Sequence, residues 1–151
     1  MYKRGDEKTS IGYTSGVYDL FHIGHLNLLK NAKRNCDQLH VGVSSDELVY
    51  HYKGKRPIIP EADRLEIVRS IKEVDEAFLI HHRDKKLQFH EVNYNTLFVG
   101  DDWKGDPVWV ELEDYLSSHG AQIHYFGYTQ SVSTTKLTHI LESLQGDEFK
   151  L

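Results

Sequence analysis

A single cysteine, Cys36, stands in 151 residues, so no internal disulfide can form and a reducing compartment is the natural one. Long apolar runs are missing as well. No stretch is long enough to cross a bilayer, and the opening segment MYKRGDEKTS is charged where a signal peptide would be apolar. Basic excess is also lacking: 18 Lys and Arg stand against 23 Asp and Glu, a formal net charge of −5. That is the wrong sign for a broad nucleic-acid surface, so any phosphate-handling site has to be local. Repeats, linkers and low-complexity tracts are absent from the sequence. The expectation is a soluble cytoplasmic protein that binds neither membrane nor nucleic acid. One domain is expected over residues 11–145, with a flexible extension at 1–10 and a tail at 146–151.

What is present is alternation. Short runs rich in Val, Ile, Tyr and Phe (IGYTSGVY, LHVGVSS, EAFLIH, TLFVG and AQIHYFGY) are separated by stretches with apolar residues three and four apart. These stretches predict helices at 25–35, 61–72, 85–92, 108–118 and 134–144. The last of them carries Leu137, Ile140, Leu141 and Leu144 on one stripe. Gly120 stands where a helix would end in a left-handed residue before the next strand. Five strands joined by helical crossovers predict an α/β fold, a Rossmann-like, doubly wound parallel sheet with helices on both faces. Ligands in such sheets gather beyond the carboxyl ends of the strands, so the connections after strands are where chemistry is expected.

Four stretches fall on that edge. His22 and His25, in GVYDLFHIGHLNLL, follow the first strand at the start of a helix, where free N–H groups and the helix dipole favour an anion. Capping or packing alone would explain one or both histidines, and a zinc site would need a third ligand that no recognisable set supplies. HYKGKRPIIPEADR places Lys53, Lys55, Arg56 and Arg64 in what reads as a basic loop after the second strand. FVGDDWKGD offers Asp101 and Asp102 as acceptors, or as a helix cap, with Trp103 as a wall for a planar base. TQSVSTTKL brings hydroxyls to the start of the last helix, where Ser133 is a good N-cap and the cluster a second phosphate cradle.

On "HIGH" at His22–His25, "GDDW" at Gly100–Trp103 and "YTQSVSTT" at Tyr128–Thr135, the chain resembles the cytidylyltransferases of the HxGH nucleotidyltransferase superfamily. It is most similar to the glycerol-3-phosphate cytidylyltransferases, from about Ile11 to Leu144. The resemblance implies transfer of CMP from CTP to a phosphorylated alcohol, glycerol 3-phosphate above others, by direct in-line attack on the α-phosphorus. His22 and His25 would stabilise the pentacoordinate phosphate, and Lys53 would contact the reacting phosphates. Lys55 and Arg64 would meet the acceptor's phosphate. Ser15, Gly16, Val17, Thr129, Ser133 and Thr134 would hold the triphosphate, and Asp102 and Trp103 would lie by the nucleoside. Mg²⁺ would ride on the triphosphate with Asp19 as its nearest protein neighbour, and the helix at 61–72 with "VDEAF" would form a homodimer contact. "KGKRPIIP" followed by "DRLEIV" is similar to the sugar-phosphate adenylyltransferases as well. Adenylyl transfer to a sugar phosphate is therefore the alternative, and a non-catalytic nucleotide-binding module the second alternative. Tyr128 and Ser131 stand where the family carries arginine and glycine.

Overall fold

The computed structural model describes residues 9–127 and 134–148. Strand β1 (Ile11–Gly16) turns into helix α1 (Ile23–Lys33), and β2 (Gln38–Ser44) is followed by α2 (Asp46–Lys53) and α3 (Glu61–Arg69). After β3 (Glu76–Ile80) come α4 (Lys85–Val92), β4 (Thr96–Gly100), a 3₁₀ turn at Asp101–Trp103 and α5 (Pro107–Ser118). The strand β5 (Gln122–Phe126) and the helix α6 (Thr134–Glu148) complete the order. The strands lie side by side as β3-β2-β1-β4-β5, every neighbouring pair parallel, which is the expected Rossmann-like α/β sheet.

This strand order fixes where a ligand can enter. The chain winds outward from β1 to β3, then returns to β4 on the other side of β1, so the direction reverses between β1 and β4. β1 and β2 stay paired from Ile11 opposite Gln38 to Gly16 opposite Val43. The β1–β4 register holds Gly12 opposite Thr96 and Tyr13 opposite Leu97. Beyond it the Thr14 hydroxyl donates to the Phe98 carbonyl at 3.0 Å, and the carboxyl ends of the two strands, each paired on its outer side, are not paired with each other.

Strands buried on both faces divide their side chains by alternation. Leu39, Val41 and Val43 pack with Leu29 and Ala32 of α1 and Val68 of α3 on one face. Tyr13 and Leu97 pack with Phe89 of α4 and Leu112 and Leu116 of α5 on the other. The Tyr13 ring is stacked with Phe78 and Tyr94, at 6.3 and 5.3 Å between centroids. It lies over Gly42, where a Cβ would come within 2.6 Å of the Tyr13 hydroxyl, so glycine is what lets the ring close on β2.

The β4 and α4 bounds match those predicted, and Gly120 has φ +81 after α5. Elsewhere the structure corrects the sequence reading. The segment after β2 is not one loop: α2 occupies Asp46–Lys53, with the Leu48 N–H donating to the Ser45 hydroxyl at 3.1 Å and Gly54 ending the helix at φ +78. Its two buried apolar residues, Leu48 and Val49, give too few repeats for periodicity to register. α1 begins at Ile23 rather than 25, and α3 stops at Arg69. The apolar stripe of α6 is not packed inward, with Ile140, Leu141 and Leu144 exposed. That helix is anchored at the carboxyl edge of the strands, through Thr134 to Asp19 and Glu142 to Lys55. Ser10, expected in a flexible extension, is tied to Asp37: its N–H donates to the Asp37 carboxylate and its carbonyl accepts from the Asp37 and Gln38 N–H groups. No described helix is long and apolar enough to cross a membrane.

Candidate active site

The first turn of α1 is capped by its own two histidines. His22 is the N-cap residue, and its Nδ1 accepts the Gly24 N–H at 3.0 Å. His25, three residues on, returns the bond: its Nδ1 accepts the His22 N–H at 3.1 Å. This is a reciprocal capping arrangement made with imidazoles in place of a hydroxyl and a carboxylate. The two rings lie 4.0 Å apart. A backbone N–H is always a donor, so each Nδ1 has to present a lone pair. The single proton of each neutral ring therefore sits on Nε2, assigned here from the backbone bonds. His25 Nε2 lies 3.3 Å from the Thr134 hydroxyl, which itself donates to the Asp19 carbonyl at 2.8 Å.

Burial, then the neighbouring His22, lowers the His25 pKa from 6.5 to about 4, against an opposing pull from Asp19. Burial lowers His22 as well. Both rings are thus neutral donors at neutral pH. Because the folded protein resists protonating His25 while an unfolded chain takes up the proton near 6.5, stability is full above that value. It falls as the pH drops from about 6.5 to about 4. The variant His25→Asn keeps an acceptor for the His22 N–H but cannot titrate, so its thermal midpoint should change less across that window. Parallel curves for the two proteins would refute the assignment.

Between β1 and α1 the chain makes a turn in which Tyr18 and Leu20 take φ of 58 and 50, left-handed values that cost a non-glycine residue about 1–3 kcal/mol each. Asp19, between them, fixes the turn: its carboxylate accepts the Ile58 and Ile59 N–H groups at 2.7 and 2.8 Å. Arg64 holds the same region from beneath. Its Nε donates to the Ile59 carbonyl, its Nη1 to the carbonyls of Val17 and Ser44, and its Nη2 to the Asp46 carboxylate, all within 2.6–2.8 Å. The side chain is fully buried.

Two expectations are corrected by this. Arg64 is a structural hub joining the turn after β1, β2, α2 and the 57–60 segment, and is not open to an acceptor phosphate. Asp19 is only 5% exposed with both carboxylate oxygens engaged, so it does not fit the role of a magnesium ligand. Among the described residues no three His, Cys, Asp or Glu side chains are grouped to hold a metal ion.

The other expected residues converge. Ser15, Gly16 and Val17 at the end of β1, His22 and His25 on α1, Lys53 at the end of α2, Lys55, Asp102, Trp103 and Thr134 all line one cleft of about 1210 Å³ over the β1–β4 opening. Lys55 forms an ion pair with Glu142 of α6 at 3.0 Å, both side chains more than half exposed, across the cleft's rim. Thr129, Ser133, Tyr128 and Ser131 lie outside the described residues. The cleft also holds residues that the sequence reading missed. Trp109 of α5 stacks on Trp103 at 6.5 Å with planes 17° apart. Lys85, at the start of α4, is half-buried and its Nζ donates to the Ser15 hydroxyl at 2.7 Å. Burial, then the charge of Arg83, lowers its pKa to about 8. A lysine pair opening a helix carries no mark in the sequence that separates it from a solvated face.

The sequence matches the cytidylyltransferase-like protein family over residues 13–140. It is 30% identical over 128 residues to the bifunctional protein HldE of Nitrobacter hamburgensis, covering 84% of this chain and 26% of that protein. To the HldE of Acidiphilium cryptum it is 38% identical over 100 residues, covering 65% of this chain and 20% of that protein. The chain thus spans about a quarter or less of the curated relatives it matches. Among solved structures, a lipopolysaccharide core biosynthesis protein from Thermoplasma volcanium is 30% identical with a TM-score of 0.66, the match covering 82% of this chain and 99% of that one. With the family matched over most of its length, and that solved relative similar from end to end, the chain belongs to the cytidylyltransferase-like family.

Proposed function

We propose that the protein transfers CMP from CTP to a small phosphorylated alcohol, with glycerol 3-phosphate as the favoured acceptor. The observation that carries this reading is the reciprocal capping of His22 and His25, which puts two neutral Nε2–H donors at the helix N-terminus beside the β1–β4 crevice, that of His25 directed to the Thr134 hydroxyl oxygen. An oxygen of the acceptor's phosphate forms a bond to the α-phosphorus of the nucleotide. The bond from that phosphorus to the bridging oxygen breaks, and pyrophosphate leaves with the electron pair. The nucleophile is already an ionised phosphate, so no general base is needed. What the protein supplies is position and charge stabilisation. Neutral imidazole donors, the N-terminal N–H groups of α1 and Lys53 suit the negative charge that gathers on the equatorial oxygens. Asp102 and the Trp103–Trp109 stack suit a nucleoside. The divalent cation in this proposal enters on the triphosphate, with no residue of this chain assigned to hold it. A homodimer through α3 and "VDEAF" is part of the same proposal.

A second reading is adenylyl transfer to a sugar phosphate. It is favoured by the "KGKRPIIP" and "DRLEIV" stretches and by the lipopolysaccharide core role in the name of the Thermoplasma volcanium relative. Pyrophosphate release measured with CTP or ATP, Mg²⁺ and a panel of phosphorylated alcohols and sugars separates the two. The expected result is a kcat/KM for CTP far above that for ATP, since a site that pairs with the cytosine edge leaves buried groups unpaired against adenine, a mismatch worth as much as ~10⁴. Comparable values would overturn the base choice, and no release with any pair would leave a nucleotide-binding module.

A further inference from the structure

We infer that Trp109, on α5, is a positioning residue for the nucleobase: it holds the Trp103 ring as a preformed platform that adds affinity for a nucleotide without choosing between bases. The inference rests on the nucleotide-binding part of the reading given above. Trp103 ends the 3₁₀ turn after β4 and is 51% exposed. The backbone of that turn is fixed, since the Lys104 N–H donates to the Asp101 carbonyl at 3.2 Å and the Asp106 N–H to the Trp103 carbonyl at 3.0 Å. The ring is not held in the same way: among the described residues, Trp103 packs on neither core cluster. Its ring contact is with Trp109, at 6.5 Å between centroids and 17° between planes.

Trp109 is anchored where Trp103 is not. Asp106 caps α5 by accepting the Val108 N–H at 3.0 Å and Pro107 opens the helix, so Trp109 stands in its first turn. From there its half-buried side chain packs against the cluster of Tyr13, Leu97, Leu112 and Leu116 and also lines the cleft. An indole on an exposed turn samples several rotamers. Stacking on a ring that the core fixes selects one of them, so less freedom is lost when a base arrives. Near-parallel aromatic pairs also contribute beyond the area they bury. Stacking is tolerant of base identity, because every base has a π-face. Choice between bases belongs to groups that hydrogen-bond their edges, such as the Asp102 carboxylate. The platform therefore contributes the same factor for CTP as for ATP.

The chain has two tryptophans and both are in this pair, so near-ultraviolet circular dichroism reads their coupling directly. The test uses the full chain with Trp109→Leu, Trp103→Leu and the double variant, each checked by thermal melting. Trp109→Met, with a more adaptable side chain, takes the place of a Trp109→Leu that does not fold. Titration calorimetry measures CTP, ATP and inorganic tripolyphosphate. Trp109→Leu is expected to abolish the indole–indole coupling and to weaken CTP and ATP alike by about 3–10-fold, with tripolyphosphate within about twofold of the wild type. Trp109→Phe keeps a ring against the core and should hold CTP within about twofold. In the Trp103→Leu background Trp109→Leu should have no further effect, because it acts through the ring already removed. Unchanged CTP binding in a folded Trp109 variant would overturn the inference, as would additive losses in the double variant or equal weakening of tripolyphosphate. A changed ratio of CTP to ATP affinity would overturn it too, making Trp109 a determinant of base choice. If the wild-type protein binds CTP but transfers no nucleotidyl group, the transfer reading fails and these outcomes still decide the role of Trp109. If it binds no nucleotide, both fail.

Discussion

Substituting His25 by asparagine lowers turnover by ~10²–10³ while leaving the protein as stable as the wild type at neutral pH. The magnitude is that of removing one oriented donor from the place where charge develops. The stability follows from the capping geometry: asparagine retains an acceptor close to the position of Nδ1, so the His22 N–H keeps its partner. His25→Ala loses the same donor and also the cap, so it shows the same loss of turnover with an additional cost of about 1 kcal/mol. Measuring kcat and the unfolding midpoint of both variants separates the two functions of one ring. Retention of wild-type turnover within a few-fold by folded His25→Asn would show that the histidine pair does no more than start a helix.

Arg64→Leu has the largest expected effect on stability. The guanidinium is fully buried and donates to three carbonyls and one carboxylate, drawn from the turn after β1, β2, α2 and the 57–60 segment. Leucine leaves all four acceptors, and the partly buried Asp46 charge, without the group that satisfied them. Loss of one partner from such a pair costs about 3–5 kcal/mol, a large share of the ~5–15 kcal/mol that holds a domain folded. Arg64→Lys recovers little, because one ammonium cannot span four separated oxygens that a planar fork reaches. Denaturant unfolding gives the loss directly. A folded Arg64→Leu of unchanged stability, with the acceptor KM raised, would restore the acceptor role that the sequence had suggested.

The sheet was legible because buried parallel strands are near-continuous apolar runs, and TLFVG and Lys85–Val92 appear with the bounds expected of them. The amphipathic stripe of α6 was legible too, but its burial was not. Periodicity reports that one side of a helix is apolar, and says nothing about whether a partner lies against it. α2 escaped because eight residues contain barely two turns, although Ser45 before Asp46 and Glu47, with Gly54 at the end, spells its caps.

By itself the sequence determined the parallel α/β sheet, the carboxyl edge as the place where the cleft opens, and the histidine pair, glycine-linked, at the first helix start. These follow from local periodicity and from spacing along one chain, which nearest neighbours fix. Tertiary structure decided which charges face the cleft. Arg64 and Lys85 both look like basic residues of a polar segment, yet one is enclosed by three carbonyls and a carboxylate from four separate segments and the other reaches Ser15, seventy positions away, at 2.7 Å. Whether a cation is neutralised within the fold or left for a ligand depends on partners that only the crossovers bring near, so no window along the sequence contains that answer.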